Sequence, residues 1–491
     1  MKIILAGYNI DYDLIRELKV KSAHEQDLTP ETISAAYARI SRSPKPVNEL
    51  RQISRAEVDN ARKSNNNIVF EMGHSSVAEH AVFNIDVIGV SRLLVEEIEK
   101  FRLCSFTEKS QRYVLFQDDF VIPEEIKRVG MTDLYTSTVR MQNDYYHQLY
   151  EQLRPYVFEQ NKTLAENPAN KTMLEGWAKE DARYAIALAT ETQLGMTINA
   201  RNLELMLRRL AALPLAEAQE YSKNLYAATK DIAPSLIRYT QATEYDRLTR
   251  QNLQKQTEKL AQKHSSMREN SDKSSDVQLA FVTPSADLQV AAALLFSSSS
   301  FNYDQCLTQA RQLSARDKTV LFKSAFANIK PYDAVLRELE NVDLQFELIT
   351  SASCFAQLKR HRMATIISQD YDPRLGVTIP EAVRAIGKQK EFMEVIKKTN
   401  DVYKQIKQKQ PLAAAYVLTN AHRKRVLMKL NARELYHMAR LRTDAHAQWD
   451  IRELSERMLK QARKVMPLTL MMACGKDSFD KFYKNIFSPI S

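Results

Sequence analysis

Residues 198–203 read INARNL and residues 430–435 read LNAREL, so one short motif occurs twice in this chain. A second pair of related segments precedes them, KFR at residues 100–102 and RHR at residues 360–362. The two motifs keep the same order but stand further apart in the first part of the chain. This ordered recurrence predicts a divergent internal duplication, with an insertion in the first copy.

The length of the chain and one polar stretch divide it into two domains. At 491 residues, the chain is too long for one compact core. Residues 246–280 contain no aromatic side chain, and most of this stretch is polar, charged and rich in serine. We therefore predict a first domain at 1–245, a polar linker at 246–276 that is helical in part, and a second domain at 277–491.

Strand and helix patterns are mixed in the chain. Residues 1–7 and 81–90 are short apolar or alternating segments, which predict strands. Residues 91–101 and 353–361 predict a helix at the equivalent place of each half. Only nine glycines are present, which favours helix-rich structure. The predicted class is α+β, helix-rich with a small sheet in each half.

The composition restricts the class of function. The net charge of +10 attracts anions, whether nucleic acid or small phosphorylated ligands, and does not choose between them. No run of about 18 apolar residues occurs, so we expect a cytoplasmic protein that does not span a membrane. The four cysteines lie far apart, which predicts a reducing compartment and no disulfide framework.

Two kinds of catalytic centre have little support. His74 and His80 are not spaced as metal ligands on one helix usually are. Apart from Glu79 the segment offers no further ligand, so no metal site is expected. A nucleophilic serine, histidine and aspartate triad also has no support in the sequence.

Gln357, Arg360 and His361 form one candidate site. If residues 353–361 are helical, the i, i+3, i+4 spacing places these three side chains on one face, and Arg362 follows them. Such a face could bind a phosphate, because the guanidinium fork matches the phosphate oxygens. The alternative is a solvated basic helix face.

Glu108, Ser110 and Arg112 form a second candidate site. They are two residues apart, so in extended backbone their side chains point to one side. A carboxylate, a hydroxyl and a guanidinium would suit the base and phosphate of a nucleotide. The alternative is a polar loop without a ligand.

Asn199 and Arg201 of the first half recur as Asn431 and Arg433 in the second. An asparagine at this place can cap a helix, and Glu434 follows Asn431 by three residues, as the partner in a capping box would. In that interpretation the two arginines are surface residues.

Taken together, these motifs resemble those of the flavin-dependent thymidylate synthases. The first half has GHSSVAEH at 73–80, GVSR at 89–92 and SFTEKSQRY at 105–113, and the second half has QLKRHR at 357–362, NAREL at 431–435 and LRTDAHAQW at 441–449. The likeness covers most of both halves, and it implies two tandem domains with the fold of that family.

The resemblance also implies a reaction and a role for each matching position. The family methylates dUMP reductively to dTMP, with carbon from methylenetetrahydrofolate and with NADPH reducing a bound FAD. The dUMP-binding positions would be Glu108, Ser110, Arg112, Arg183, Gln357, Arg360 and Arg442, of which Ser110, Arg360 and Arg442 would be catalytic. The FAD-binding positions would be His74, Asn199, Arg201, Arg360, His361, Arg362, Asn431 and Arg433.

Each half lacks family residues that the other half retains. Arg183 of the first half is replaced by Ala415 in the second, and Arg442 of the second corresponds to Leu210 in the first. Members of the family are homotetramers whose active sites form where subunits meet. The resemblance therefore implies a homodimer with composite active sites and no nucleic-acid partner. The alternative is a non-catalytic protein that binds flavin, nucleotide or RNA.

Overall fold

A computed structural model describes residues 1–18, 28–40, 43–263 and 275–488 of the chain. The chain divides into two compact units that are not contiguous in sequence. Unit 1 comprises Met1–Asn270 and Ile386–Leu418, and unit 2 comprises Ser271–Ala385 and Thr419–Ser491.

Each unit contains a four-stranded antiparallel sheet. The strands of unit 1 are β1 (Lys2–Tyr8), β2 (Val82–Ser91), β3 (Cys104–Glu108) and β4 (Glu191–Asn199), and those of unit 2 are β5 (Val277–Val282), β6 (Asp343–Ser351), β7 (Thr365–Ser368) and β8 (Arg423–Asn431). Their spatial orders are β1-β2-β4-β3 and β5-β6-β8-β7. Because the two orders are equivalent, the sheets support the internal duplication that the sequence predicts.

Helices make up most of the remaining described structure. In unit 1 they are α1 (Tyr12–Leu18), α2 (Glu31–Arg39), α3 (Val47–Ala56), α4 (Val58–Asn66), α5 (Arg92–Ile98), α6 (Glu124–Arg128), α7 (Thr132–Gln160), α8 (Lys162–Ala165), α9 (Lys171–Ala182), α10 (Ala200–Ala211), α11 (Ala216–Thr229) and α12 (Glu244–Lys263). In unit 2 they are α13 (Ala286–Ser297), α14 (Tyr303–Gln312), α15 (Ala315–Phe326), α16 (Ala352–Leu358) and α17 (Glu381–Ala385). Next come α18 (Gln389–Lys409) of unit 1 and then α19 (Ala432–Arg442), α20 (Trp449–Val465) and α21 (Phe479–Phe487) of unit 2. The predicted α+β class, helix-rich with a small sheet in each half, is confirmed.

One face of each sheet lies against a hydrophobic core. In β2, Phe83, Ile85 and Val87 are buried, whereas Asn84 and Asp86 between them are exposed. This alternation follows from the two-residue period of a strand and covers one side of the sheet with apolar side chains. The strand predicted at residues 81–90 is thus confirmed.

The two central strand pairs have the same register apart from one bulge. β2 shifts its pairing with β4 between Ile88 and Val90, at Gly89, whose φ of +74° is favourable for glycine. Beyond the bulge, Ser91 pairs with Glu191, and in unit 2 Ser351 pairs with Arg423. Ser91 and Ser351 therefore occupy equivalent places in the two units.

Both serines start a helix at the predicted place. The Ser91 hydroxyl accepts a hydrogen bond from the Leu94 amide, and the Ser351 hydroxyl accepts one from the Cys354 amide. Such N-caps satisfy amides that have no partner within the helix. The helices α5 and α16 are shorter than predicted, however, because they end at Ile98 and Leu358.

The segment Ile386–Leu418 packs within unit 1. The buried Gln142 amide on α7 donates to the Thr399 hydroxyl at 2.7 Å and to the Val417 carbonyl at 2.9 Å. The Leu188 amide donates to the Leu418 carbonyl at 2.7 Å. These buried polar contacts fix α18 and the residues after it in unit 1, because breaking them would leave polar groups without partners.

The stretch predicted as a linker, residues 246–276, is partly helical. α12 covers its first part and buries none of its side chains. Residues 264–274 lie outside the described residues. Among the described helices, none is both long and apolar enough to cross a membrane.

Candidate functional site

A buried ion pair stands where β3 and α5 meet in unit 1. Arg92 Nη1 lies 2.6 Å from Glu108 Oε1, and each side chain is only 3% exposed. The Thr192 hydroxyl on β4 donates to the same carboxylate oxygen at 3.4 Å. Burial opposes the charge of Arg92, but the carboxylates of Glu108, Glu96 and Glu99 together outweigh it and raise the pKa of Arg92.

A second arginine–carboxylate pair lies beside the first. Arg112 Nε donates to Glu180 Oε2 at 2.7 Å, from the segment after β3 to the end of α9. Glu180 is 6% exposed and Arg112 is 24% exposed, so this pair reaches solvent on the arginine side. A guanidinium that solvent can reach in this way is accessible to an anion.

The prediction of an extended segment from Glu108 to Arg112 is wrong. β3 ends at Glu108, and the chain then turns. The Ser110 hydroxyl accepts a hydrogen bond from the Arg112 amide at 3.2 Å, and the Val114 amide donates to the Ser110 carbonyl at 3.3 Å. The Ser110 side chain thus stabilises a turn, which competes with extended backbone.

Arg183 completes the cluster at the end of α9. Its side chain is buried, and burial lowers the pKa of Arg183, an effect that Glu180 offsets in part. Arg112 and Arg92 are close enough to lower it further by repulsion. Three guanidinium groups therefore share one partly desolvated region, where an anion would stabilise the charge of Arg183 above all.

In unit 2 the side chains of Gln357, His361 and Arg442 form a hydrogen-bonded network. Arg442 Nε donates to His361 Nε2 at 3.1 Å, and Arg442 Nη1 is 3.4 Å from Gln357 Oε1. His361 Nδ1 is 3.2 Å from Glu434 Oε1. Since Nε2 accepts, the hydrogen lies on Nδ1 and is donated to the Glu434 carboxylate.

His361 is a neutral, buried member of this network. Burial lowers the pKa of His361, the hydrogen bond to Glu434 raises it in part, and the charge of Arg442 lowers it again. The side chain of His361 is 1% exposed. A neutral imidazole held by two partners has a fixed orientation, so His361 can position Arg442 without itself carrying charge.

The prediction that Gln357, Arg360 and His361 share one helix face is wrong, because α16 ends at Leu358. Arg360 and His361 lie in the turn that follows. His361 is buried there, whereas Arg360 and Arg362 are exposed. Gln357 and His361 still meet, but through their common partner Arg442 and not through helix periodicity.

The recurrent asparagines cap α10 and α19, as the sequence predicts. Asn199 Oδ1 accepts from the Asn202 amide at 2.9 Å, and Asn431 Oδ1 accepts from the Glu434 amide at 2.8 Å. Glu434 does not act as the expected capping-box partner, because its carboxylate contacts His361 instead.

The two arginines that follow the caps make equivalent ion pairs. Arg201 Nη1 pairs with Glu79, and Arg433 Nη1 lies 3.0 Å from Glu340 Oε1. Arg433 Nε also donates to the Val335 carbonyl at 2.9 Å. Both arginines thus have a structural contact within their own unit, beside any contact with a cofactor.

A cavity of about 260 Å³ in unit 2 adjoins these residues. Its lining includes Asn431, Arg433, Glu434, His437 and Arg440. The volume is slightly below the range of about 300–1,000 Å³ that is typical of small-molecule sites. It is therefore large enough for one part of a dinucleotide cofactor. A larger open cleft of about 910 Å³ along α7 and α18 contains none of the predicted site residues.

His74 lies apart from these clusters as an exposed residue. It precedes a 3₁₀ segment, Ser75–His80, and the ring of His80 packs edge-on against Tyr37 at 4.7 Å. Within the described parts of the chain, no three His, Cys, Asp or Glu side chains converge as a metal site would require.

Sequence reasoning missed Arg92 and Glu180 as members of the unit 1 cluster. Arg92 follows the helix-capping Ser91 directly, which places it at the start of α5. Glu180 precedes Arg183 by three residues at the end of α9, a spacing that brings two side chains to one helix face. Both signals are visible in the sequence.

Fold and site thus define a duplicated α+β protein with a partly buried arginine cluster suited to an anionic ligand. A family model described as thymidylate synthase complementing protein, Thy1, matches residues 25–235 and 278–468. The chain therefore belongs to this family, the flavin-dependent thymidylate synthases, and contains two copies of its domain.

Relatives of two sizes match the chain. A UPF0159 protein of Chlamydia muridarum is 26% identical over 417 residues, which cover 82% of this chain and 78% of the relative. A UPF0159 protein of Thermoplasma acidophilum is 22% identical over 475 residues, which cover 88% and 93%. A flavin-dependent thymidylate synthase of Clostridium tetani is 30% identical over 215 residues, which cover 43% of this chain and 82% of the relative.

Among solved structures, a flavin-dependent thymidylate synthase of Helicobacter pylori in complex with FAD and dUMP is similar. It is 18% identical and covers 49% of this chain and 100% of its own, with a TM-score of 0.32.

Proposed function

We propose that this protein is an FAD-dependent thymidylate synthase that methylates dUMP to dTMP, with methylenetetrahydrofolate as carbon donor and NADPH as reductant. The observation that carries this proposal is the cluster of the buried Arg92 and Arg183 with the partly exposed Arg112 in unit 1. In a chain of this family, such a cluster is suited to the phosphate of a nucleotide substrate.

Within the proposed site, the residues of unit 1 bind and orient the nucleotide. Arg112 and Arg183 hold the phosphate, the Glu108 carboxylate accepts a hydrogen bond from the remainder of the nucleotide, and the Ser110 hydroxyl donates one to it. Arg92 acts as a positioning residue, because its 2.6 Å contact fixes the Glu108 carboxylate. A phosphate dianion would offset the repulsion that Arg183 experiences from its arginine neighbours.

Unit 2 contributes the residues that stabilise developing charge. In this proposal Gln357, Arg360 and Arg442 face the uracil, where negative charge accumulates during methylation. Arg442 is held by His361 and Gln357, so its guanidinium is oriented before the substrate arrives. Preorganised donors of this kind stabilise a transition state without having to reorganise.

The proposed FAD-binding residues are His74, Asn199 and Arg201 of unit 1 and Arg360, His361, Arg362, Asn431 and Arg433 of unit 2. The 260 Å³ cavity beside Asn431 is lined by Arg433 and Arg440 together with the carboxylates of Glu340 and Glu434, and its volume would suit one ring of the cofactor. When bound, the isoalloxazine would supply the redox chemistry that carries the one-carbon unit to the uracil. The chain's own part is to bind and orient the cofactor and to exclude water.

A composite site requires residues from both halves, and we propose a homodimer in the cytoplasm. Unit 1 retains the dUMP-binding Arg112 and Arg183, whereas unit 2 retains Arg360 and Arg442. Light scattering should give the mass of two chains, because one chain has two family domains and the family's sites form between subunits. A stable, fully active monomer would contradict the dimer.

An anaerobic assay with dUMP, methylenetetrahydrofolate and NADPH tests the proposed activity, with dTMP measured as product. Omission of each component in turn is the control. Formation of dTMP that needs all three components is the expected result. Flavin bound in a fixed ratio without any dTMP would instead favour a non-catalytic flavin- or nucleotide-binding protein.

A further inference from the structure

The open cleft along α7 and α18 of unit 1 has apolar side chains in its floor and an acidic rim. Met141 and Tyr145 of α7 and Val395 of α18 line it and are buried or half-buried. Carboxylates stand at both ends of its α7 wall, about 17 Å apart at 1.5 Å per residue. The charged lining residues are four carboxylates and two cations, which gives a net charge of −2: Asp133, Asp144, Glu391, Glu394, Arg140 and Lys398.

Helix α12 of the same unit has the complementary pattern. No side chain of this helix, which the structure describes in full, is buried, and Leu253 and Leu260 are 55% and 42% exposed. Because these leucines are seven residues apart, they lie on one face of the helix, two turns from each other. Arg250 and Lys263 flank them on the same side, three residues before and after, whereas Glu258 lies on the opposite face.

Only the first turn of α12 is fixed to the rest of unit 1 by ion pairs. The Asp246 carboxylate, which is 1% exposed, lies 3.1 Å from Arg208 Nε and 3.4 Å from Arg209 Nε. The 17 residues that follow have exposed or half-exposed side chains and extend over about 26 Å. A largely polar helix of this length is marginal in water unless it packs on a partner. The apolar face of α12 is therefore available to a partner.

The cleft has room for about two turns of a helix. A helix of about 10–12 Å diameter takes up roughly 120–170 Å³ per residue, so a volume of about 910 Å³ receives about five to eight residues. The segment from Leu253 to Leu260 has eight. The flanking Arg250 and Lys263 are about 20 Å apart along the axis, close to the separation of Asp133 and Asp144. Shape, apolar surface and charge thus match between α12 and the cleft.

We propose that α12 of one chain docks in the α7–α18 cleft of a second copy, and that the second copy returns the contact. Such a reciprocal exchange is what two-fold symmetry requires. Leu253 and Leu260 pack on the apolar floor, and Arg250 and Lys263 pair with carboxylates of the rim, as an amphipathic helix binds in a groove. This inference rests on the homodimer in the proposed function and adds the surface that holds it together.

Cross-linking between introduced cysteines tests the contact. A chain with Leu253→Cys and Val395→Cys is treated with a short bismaleimide and analysed by denaturing electrophoresis and mass spectrometry. The four native cysteines are buried, so they react slowly. Gln251→Cys with Val395→Cys is the matched control, because Gln251 is exposed on the face opposite Leu253. We expect a covalent dimer from the first pair and little from the control. Equal yields, no cross-link, or a cross-link within a single chain would overturn the proposal.

Charge reversal tests the acidic rim. In the Asp133→Lys, Asp144→Lys variant, the dissociation constant of the dimer in sedimentation equilibrium should rise at least about tenfold, because each lost pair occurs twice in a symmetric dimer. Addition of Arg250→Glu and Lys263→Glu to the same chain exchanges the charges and should restore the dimer. All four positions are exposed or half-exposed, so circular dichroism should show an unchanged fold.

Glu151→Lys, Glu159→Lys is the matched control for charge reversal, since both glutamates lie on α7 outside the cleft lining. A dimer that weakens equally in both double variants, or that the exchange of charges does not restore, would overturn the docking and leave the homodimer standing. A wild type that stays monomeric would contradict the homodimer itself. A covalent dimer that forms no dTMP would contradict only the proposed activity.

Discussion

Replacement of Arg183 by methionine separates binding of a phosphate from structural support. Methionine has a similar length and no charge, so Arg183→Met removes the cation and largely keeps the packing. Removal of one charge-assisted hydrogen bond costs about 1.5–3 kcal/mol. Since about 1.4 kcal/mol corresponds to a factor of ten, the dissociation constant for dUMP should rise about 10- to 150-fold.

The stability of the variant should change in a different way. Burial is the largest influence on Arg183 and lowers its pKa, so the charged form is disfavoured in the absence of a ligand. Glu180 keeps its 2.7 Å contact with Arg112 after the substitution. We therefore expect the melting temperature of ligand-free Arg183→Met to be no lower than that of the wild type.

Calorimetric titration with dUMP and with deoxyuridine measures the effect. The nucleoside has no phosphate, so its binding should not change in Arg183→Met. Arg154→Met is the matched control, because Arg154 of unit 1 is 41% exposed and pairs with Glu175 at 3.1 Å. Binding of dUMP that changes less than about twofold, or an equal loss for dUMP and deoxyuridine, would refute a phosphate contact at Arg183.

Three further predictions concern the cofactor, the composite site and the response to acid. The purified protein should contain non-covalent FAD, and a colourless protein that gains no flavin absorbance with added FAD would contradict this. Ser110→Ala and Arg360→Ala should each lower turnover by at least about fivefold, as loss of a bond worth about 1 kcal/mol requires. Co-expression of the two should recover activity only if different chains contribute to one site. Burial lowers the pKa of His422 to about 4 from an ordinary value of 6.5, so the unfolded chain binds the proton first as pH falls. The resulting stability, up to about 3 kcal/mol, is present above pH 6.5 and is lost towards pH 4. In His422→Asn the urea concentration at the unfolding midpoint should therefore change less between these two pH values.

The duplication and the elements nearest the motifs were predictable, because local signals determine them. β2 alternates apolar and polar residues, and Ser91 and Asn431 are side chains that cap helices by contacts within three residues. Such signals do not depend on the rest of the fold. The class and the repeated architecture follow from them.

The ends of the elements depended on competing local bonds. The prediction of extended backbone failed at Ser110, whose hydroxyl contacts the Arg112 amide and supports a turn. The helix-face prediction failed after Leu358, because the chain turns there and buries His361 against Glu434. The contact of His361 with Glu434 joins residues far apart in sequence, so periodicity cannot anticipate it. The same holds for the pairing of Arg112 with Glu180.

Because Ile386–Leu418 packs into unit 1, this unit can finish folding only late in the synthesis of the chain. A ribosome adds about 150 residues between the end of the first unit 1 segment and Leu418, which takes roughly 10–30 s at ordinary elongation rates. Throughout that interval the nascent α7 presents the Gln142 amide and the Tyr145 ring without the helix that later covers them. Unit 1 can therefore complete its core only after most of the chain has been synthesised. A chaperone that shields this helix should raise the yield of active protein.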